Sequence, residues 1–264
     1  MIPIPLADLA RAAGRRKSTR LRPVVPTRTL ADDLYAIYAD SLRVWADLAI
    51  ELARDYTQPA PVRTDADGMQ LQWLVNQAAA KADNTLIYQT EKLGRWVSRV
   101  GEWHGRKTIS SVQSALGVDI APYMRLSDIR EPLELSIREN VSLIRSINAD
   151  TRTKMEAIIF DAIANRRNKK YVTDALAAAM GVTKKRARRI ANDQLHRLSI
   201  TLTSLRNQQL GIETYIWQTR EDDRVRKVHA ARNHHVFRWD TPPFDGAPGN
   251  PINCRCIAIP QIEL

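Results

Sequence analysis

From Thr183 to Gln209 the apolar residues Ala187, Ala191, Leu195, Leu198, Leu202 and Leu205 recur at steps of three and four. That period places them on one face of a helix, and a helix this long with one apolar face has to be packed along its length. The same spacing returns from Thr29 to Tyr56, through Leu30, Leu34, Ile37, Tyr38, Leu42, Trp45, Leu48, Ala49 and Leu52. Asp32 and Asp33 suit the start of that helix, because carboxylates offset the positive end of the dipole. A further run extends from Met69 to near Glu102, with an interruption expected at Gly94. It carries Trp73, Trp96 and Trp103 among apolar neighbours, which points to core or partner contact rather than base stacking. His104, at the expected end of this helix, reads as a structural cation.

Leu133, Ile137, Val141 and Ile144 make another stripe, and Met155, Ile158, Ile159, Ala162 and Ile163 make one more. Gly181 followed by Thr183 predicts a helix–turn–helix, with the glycine as C-cap and the threonine as N-cap. Pro59 and Pro61 forbid helix within Gln58–Gly68, and Gly117–Ser127 reads as a loop.

Beyond Gly211 the composition changes. Thr214–Thr219, Val236–Trp239 and Cys254–Ile259 alternate or run apolar as short strands do, and Pro- and Gly-rich links such as PPFDGAPG join them. The expected fold is therefore mainly α, with a small antiparallel β-containing C-terminal module (α+β). Read linearly, the chain divides into a basic arm at 1–28, a helical region at 29–127, a second helical region at 128–211 and the β-containing module at 212–264.

The net charge of +11 calls for an anionic partner, nucleic acid first, or serves solubility alone. The arm holds Arg11, Arg15, Arg16, Lys17, Arg20, Arg22 and Arg28 against Asp8, and reads as flexible until it meets a partner or as a solvated tail. The residues singled out for DNA or phosphate contact are Arg15, Arg16, Lys17, Lys169, Lys170, Lys184, Lys185 and Arg186. From Lys184 to Arg189 the cations crowd all round the helix with no Asn or Gln among them. That suits a phosphate-facing or solvated patch better than base readout. No apolar run approaches the ~18–20 residues of a membrane span, and a secretory signal is not expected from the first residues. The two cysteines, spaced C-x-C, cannot build a disulfide framework and fit a reducing compartment.

Three readings compete for the histidines and cysteines of the last segment. Zinc prefers thiolate and imidazole, so His229, Cys254 and Cys256 are candidate ligands, with His234 or Asp223 as the fourth. A catalytic reading pairs a cysteine with a histidine, and Asp222 or Asp223 with His229. No nucleophile elbow or phosphate-cradling glycine loop accompanies them, and no catalytic residue is assigned. In the structural reading Asp222, Asp223, Arg224, Arg226 and His229 form a buried ion-pair cluster that pins the strands.

The pattern made by Trp217, Thr219, Asp222, Asp223, Arg224, Val225, Arg226 and His229 continues through Val236, Phe237, Trp239 and Asp240. It ends in Pro248, Gly249, Asn253, Cys254, Arg255 and Cys256. Together with the upstream RARRIANDQLHRL helix, it resembles the phage Mu F-like head morphogenesis family of minor capsid proteins, over roughly Leu133 to Pro260. Family members commonly have glycine where His234 follows Asn233, and some carry a histidine where this chain has Pro251-Ile252. The resemblance implies a structural head protein of a tailed phage or prophage rather than an enzyme, placed at the portal vertex or in the head interior and in the host cytoplasm during assembly. It implies portal or major capsid protein as partner, association with packaged double-stranded DNA and a part in ejection, with no membrane. The competing expectation is a metal- or thiol-dependent nuclease or peptidase carried in the virion.

Overall fold

The structure, a computed structural model, describes residues 4–56 and 65–264. It is mainly α with one small antiparallel sheet, as the periodicity requires. The helices are α1 (Leu6–Ala12), α2 (Arg28–Asp55), α3 (Asp65–Leu116), α4 (Arg130–Ala164), α5 (Lys169–Gln209) and the short α6 (Lys227–Ala230). The strands are β1 (Thr19–Arg20), β2 (Thr214–Gln218), β3 (Val236–Arg238) and β4 (Ile257–Ile262), ordered β1-β4-β2-β3 with every pairing antiparallel. The chain forms two compact units, each assembled from separated segments: residues 1–31, 95–136 and 192–264 in the first, and 32–94 and 137–191 in the second.

Long helices replace several expected breaks. The segment 58–64 lies outside the described residues, and 65–68, read as part of the break, already belong to α3. That helix continues through Gly94 and on to Leu116, so His104 lies within it and not at its end. Trp96 is fully buried and donates its indole N–H to the Leu30 carbonyl (2.9 Å), whereas Trp73 is 58% exposed and is no core residue. The two stripes between Leu133 and Ile163 lie on one continuous helix, α4. Two 3-10 turns, Ala121–Tyr123 and Leu126–Ile129, occupy much of the expected loop before it. Helix α4 stops at Ala164 and α5 begins at Lys169.

The expected turn at Gly181 is absent, and α5 runs straight through it. Thr183 is buried and donates its hydroxyl to the Ala179 carbonyl one turn back (3.0 Å), so it satisfies itself inside the helix instead of capping a new one. Leu176, Met180, Ala187 and Ala191 are buried on both sides of this point. Burial of that continuous face outweighs the ~1 kcal/mol that glycine costs a helix interior. Nothing lies within 4 Å of a Cβ placed on Gly181. Gly181→Ala is therefore expected to stabilise the chain by about 1 kcal/mol in chemical denaturation. A left-handed cap at this position would give the opposite sign.

In the second unit, a cluster including Trp45, Leu52, Ala82, Met155, Val172 and Leu176 forms the core. Several buried polar groups are paired across it. Tyr38 donates to Asn140, Trp45 donates to Asn148 (3.2 Å), and Gln89 bridges the Ser41 hydroxyl (3.0 Å) and the Ile37 carbonyl (2.9 Å).

In the first unit, Arg206 on α5 lies against the glycine notch of α3. Its guanidinium donates to His104 Nδ1 (2.8 Å) and to the Gly101 carbonyl (3.0 Å), and a Cβ on Gly105 would sit 3.3 Å from it. Thr203 gives its own hydroxyl proton to the Ser199 carbonyl (2.9 Å), so it accepts from His104 Nε2 (2.9 Å). This fixes the imidazole as the neutral Nε2–H tautomer, with Nδ1 free to accept. Burial first, and the neighbouring Arg206 charge second, push the His104 pKa down to about 3. The residue is structural but is not the cation favoured by a helix end.

The basic arm is part of this unit. Leu6, Ala10 and Leu21 are buried with Val112, Leu116 and Leu210, and Thr19 and Arg20 pair with Ile262 and Gln261 of β4.

Candidate functional site

β2 is an inner strand of the sheet, pairing with β3 through Thr214–Ile216 and with β4 along its whole length. Tyr215, Ile216 and Trp217 are buried in it. Tyr215 packs on Trp239 (centroids 4.2 Å apart) and Trp217 meets Phe237 edge-on (5.8 Å), while Ile200 brings α5 into the same cluster.

After β2 the chain turns on Asp222. Its carboxylate accepts the Arg224 backbone N–H (3.2 Å), and its carbonyl accepts that of Val225 (3.1 Å). This delivers α6, on which His229 is buried against the edge of Trp217 (5.1 Å). The return to β3 needs His234 in the left-handed region (φ 64°), so that its N–H reaches the Trp217 carbonyl (2.7 Å). Glycine adopts this conformation without strain, so a histidine here is held by the bond to Trp217.

Ahead of β4 the side chains alternate. Cys254, Cys256, Ala258, Pro260 and Ile262 are buried, and Arg255 between the thiols is not. C-x-C is thus the period-two repeat of an extended chain, which sends both thiols inward and the arginine outward. The strand ladder itself begins only at Ile257, later than expected. Asn253, left-handed at φ 57°, sets the approach. Arg255 makes a bidentate pair with Asp222 (2.7 and 2.8 Å) and holds that carboxyl below its ordinary range.

The geometry brings His229, Cys254 and Cys256 together. Their ligating atoms lie within 4.8 Å of one another and all three residues are buried. His229 Nδ1 faces both sulfurs, 3.6 Å from Cys254 and 3.7 Å from Cys256. Its Nε2 meets the Asp245 carboxylate (2.9 Å), which also accepts from Arg232 (2.5 Å). Burial opposes charge on Asp245, but these two hydrogen bonds outweigh it and lower its pKa. An ionised Asp245 takes the Nε2 proton as hydrogen-bond donor, which leaves the Nδ1 lone pair aimed at the sulfurs. Cys254 is shifted down to about 5, chiefly by the hydrogen bond from Cys256, while Cys256 is raised first by that same hydrogen bond, which holds its proton, then by burial and by the neighbouring charge. The Gly249 N–H points at Cys254 (3.4 Å). His229, Cys254 and Cys256 are the residues that could hold a metal ion.

His234 and Asp223 are not in this group. His234 is exposed beside Glu221 (3.4 Å), and Asp223 is exposed on the turn. The charged run is also not the buried cluster expected, because Asp223, Arg224 and Arg226 are exposed and Asp222 is partly so. Arg226 instead ties the turn to the Ile252 carbonyl (2.7 Å). Asp245 and Arg232 were missed in the sequence. Asp245 sits in a Pro-Gly link where Asp-Gly reads only as a turn.

The cations singled out for phosphate lie in both units and are variously engaged. Arg15 donates to the Leu116 carbonyl (3.3 Å), Lys169 to the Arg54 carbonyl at the end of α2 (2.6 Å), Lys170 pairs with Asp174 (2.6 Å) and Arg186 with Asp150 (2.8 Å). Arg16, Lys17, Lys184 and Lys185 are exposed.

The family model described as Phage Mu protein F like protein matches residues 153–259. The matched segment contains all of α5, β2 and every residue of the His229, Cys254, Cys256, Asp245 and Arg232 group. A Haemophilus influenzae protein described as an uncharacterized protein is 31% identical over 226 residues, which cover 81% of this chain and 49% of that protein. The chain therefore spans about half the length of this curated relative. No solved structure matches the chain.

Proposed function

We propose that this chain is a structural head-morphogenesis protein of a tailed phage or prophage, acting in head assembly at the portal vertex. The observation that carries this reading is the Mu F-like match over 153–259. Its partners in this reading are the portal protein, the major capsid protein or both, and its location is the virion, with the host cytoplasm during assembly. The exposed cations Arg16, Lys17, Lys184 and Lys185, with the net charge of +11, support contact with packaged double-stranded DNA and a part in its ejection. Among the described residues no helix is long and apolar enough to cross a membrane.

Heads purified from a strain carrying the gene should contain the chain by mass spectrometry, and its deletion should give defective or fewer heads. Absence of the chain from purified heads would sink the proposal. For DNA, binding should weaken steeply with salt, by about 0.9 in log–log slope for each phosphate neutralised. Lys184→Glu with Lys185→Glu should flatten that slope, and a salt-independent affinity contradicts phosphate contact. His229→Ala and Cys254→Ala separate this reading from a virion enzyme. A structural module fails to fold or to enter heads, whereas an enzyme enters them and loses an activity.

A further inference from the structure

We propose that His229 Nδ1, Cys254 Sγ and Cys256 Sγ bind one zinc(II) ion, with Asp245 as the outer carboxylate that orients the imidazole and a solvent molecule as the fourth ligand. The distances carry the inference. Zinc–sulfur and zinc–nitrogen bonds of about 2.3 and 2.0–2.1 Å, at a tetrahedral angle, set a nitrogen and a sulfur ligand about 3.5–3.6 Å apart. The His229 nitrogen lies 3.6 and 3.7 Å from the two sulfurs. One imidazole lone pair can accept a single S–H, yet both sulfurs stand at the same distance from it, as ligands around one ion do. The second ring nitrogen donates to a carboxylate that is itself anchored by Arg232, the usual support for a zinc-bound histidine. The Gly249 N–H directed at Cys254 offsets negative charge on that sulfur.

Among the described residues the group comprises these three donors, and Asp245 faces the far side of the ring, so neither carboxylate nor histidine supplies the fourth position. The soft, compact donor set selects zinc over magnesium or calcium, which take oxygen. The ion would join α6 to the approach of β4, two segments that share no strand ladder.

The full-length chain, purified under reducing conditions, should hold about one zinc per chain by elemental analysis. Cobalt(II) exchanged into it should give the intense visible bands of a tetrahedral thiolate site. Cys256→Ser should lose these bands. Because that variant also touches the core, Asp245→Asn is the second arm. It should stay folded, keep the bands and bind zinc 10–100-fold more weakly in competition with a chromophoric chelator, roughly the loss seen when an outer carboxylate is removed. Asp245→Asn binding zinc as tightly as the parent would overturn the assigned role of Asp245. A helical, folded parent chain that takes up neither zinc nor cobalt, and whose two thiols react equally fast with and without added zinc, would overturn the site.

Discussion

Trp217→Ala is expected to destabilise the C-terminal module by about 3–5 kcal/mol, the cost of deleting a buried aromatic side chain whose space cannot collapse. Trp217 is fully buried on β2, and three groups lean on it. Phe237 meets it edge-on (5.8 Å), His229 at 5.1 Å, and the Arg232 guanidinium at 5.0 Å over its face. The loss should spread to α6 and to both neighbouring strands. Hydrogen exchange reads this locally. Protection of Thr214–Gln218 and Ile257–Ile262 should fall by roughly a hundredfold or more, while the core of the second unit keeps its protection. A fall of less than tenfold in β2 would show that Trp217 does not hold the module together.

The second large effect is a loss of stability in mild acid that traces to His104. Its folded pKa is depressed to about 3 by burial and by Arg206, against an ordinary value of 6.5. Between these values the unfolded chain takes up a proton that the folded chain refuses. Stability is therefore complete above the unfolded pKa and falls as pH drops below it, by up to about 1.4 kcal/mol per pH unit. Between pH 7 and pH 5 the loss from this residue should be about 2 kcal/mol. His196, lowered chiefly by burial, adds a change of the same sign. Urea unfolding at the two pH values checks it, with His104→Gln as the comparison. Glutamine keeps a donor for Thr203 and an acceptor for Arg206 but does not titrate, so the variant should lose about 2 kcal/mol less than the parent. Equal losses in both chains would place the acid sensitivity elsewhere.

The helices were legible because their signal is repetitive. Nine apolar positions of α2, from Leu30 to Leu52, are buried just where a 3.6-residue period puts them. What misled was punctuation. Gly94 and Gly181 read as stops, yet each lies inside a helix whose buried face outweighs the local penalty. At the site, the C-x-C spacing and the lone buried histidine of the DDRVRKVH run were visible as donors. Their outer partner was not, because Asp245 reaches His229 from 16 residues away through a loop whose Gly246 takes φ 95°. His234, a ligand candidate on composition, is committed instead to a left-handed turn that aims its backbone at Trp217. Local sequence specifies which residues carry chemistry, but long-range pairing decides which of them meet.

The pairing of Thr19 with Ile262 has a consequence for how the molecule is made. A ribosome releases the chain in order, and every residue of the second unit, ending at 191, has been synthesised before β4 exists. The first unit holds its opening segment in readiness until the last strand arrives to close the sheet against it. On the ribosome its sheet cannot close before β4 is synthesised, and the apolar side chains of α1, Leu6 and Ala10, lack part of their cover until then. Pausing synthesis shortly before residue 257, when the second unit has cleared the ribosome, should leave nascent chains with one protease-resistant unit and one that is still open.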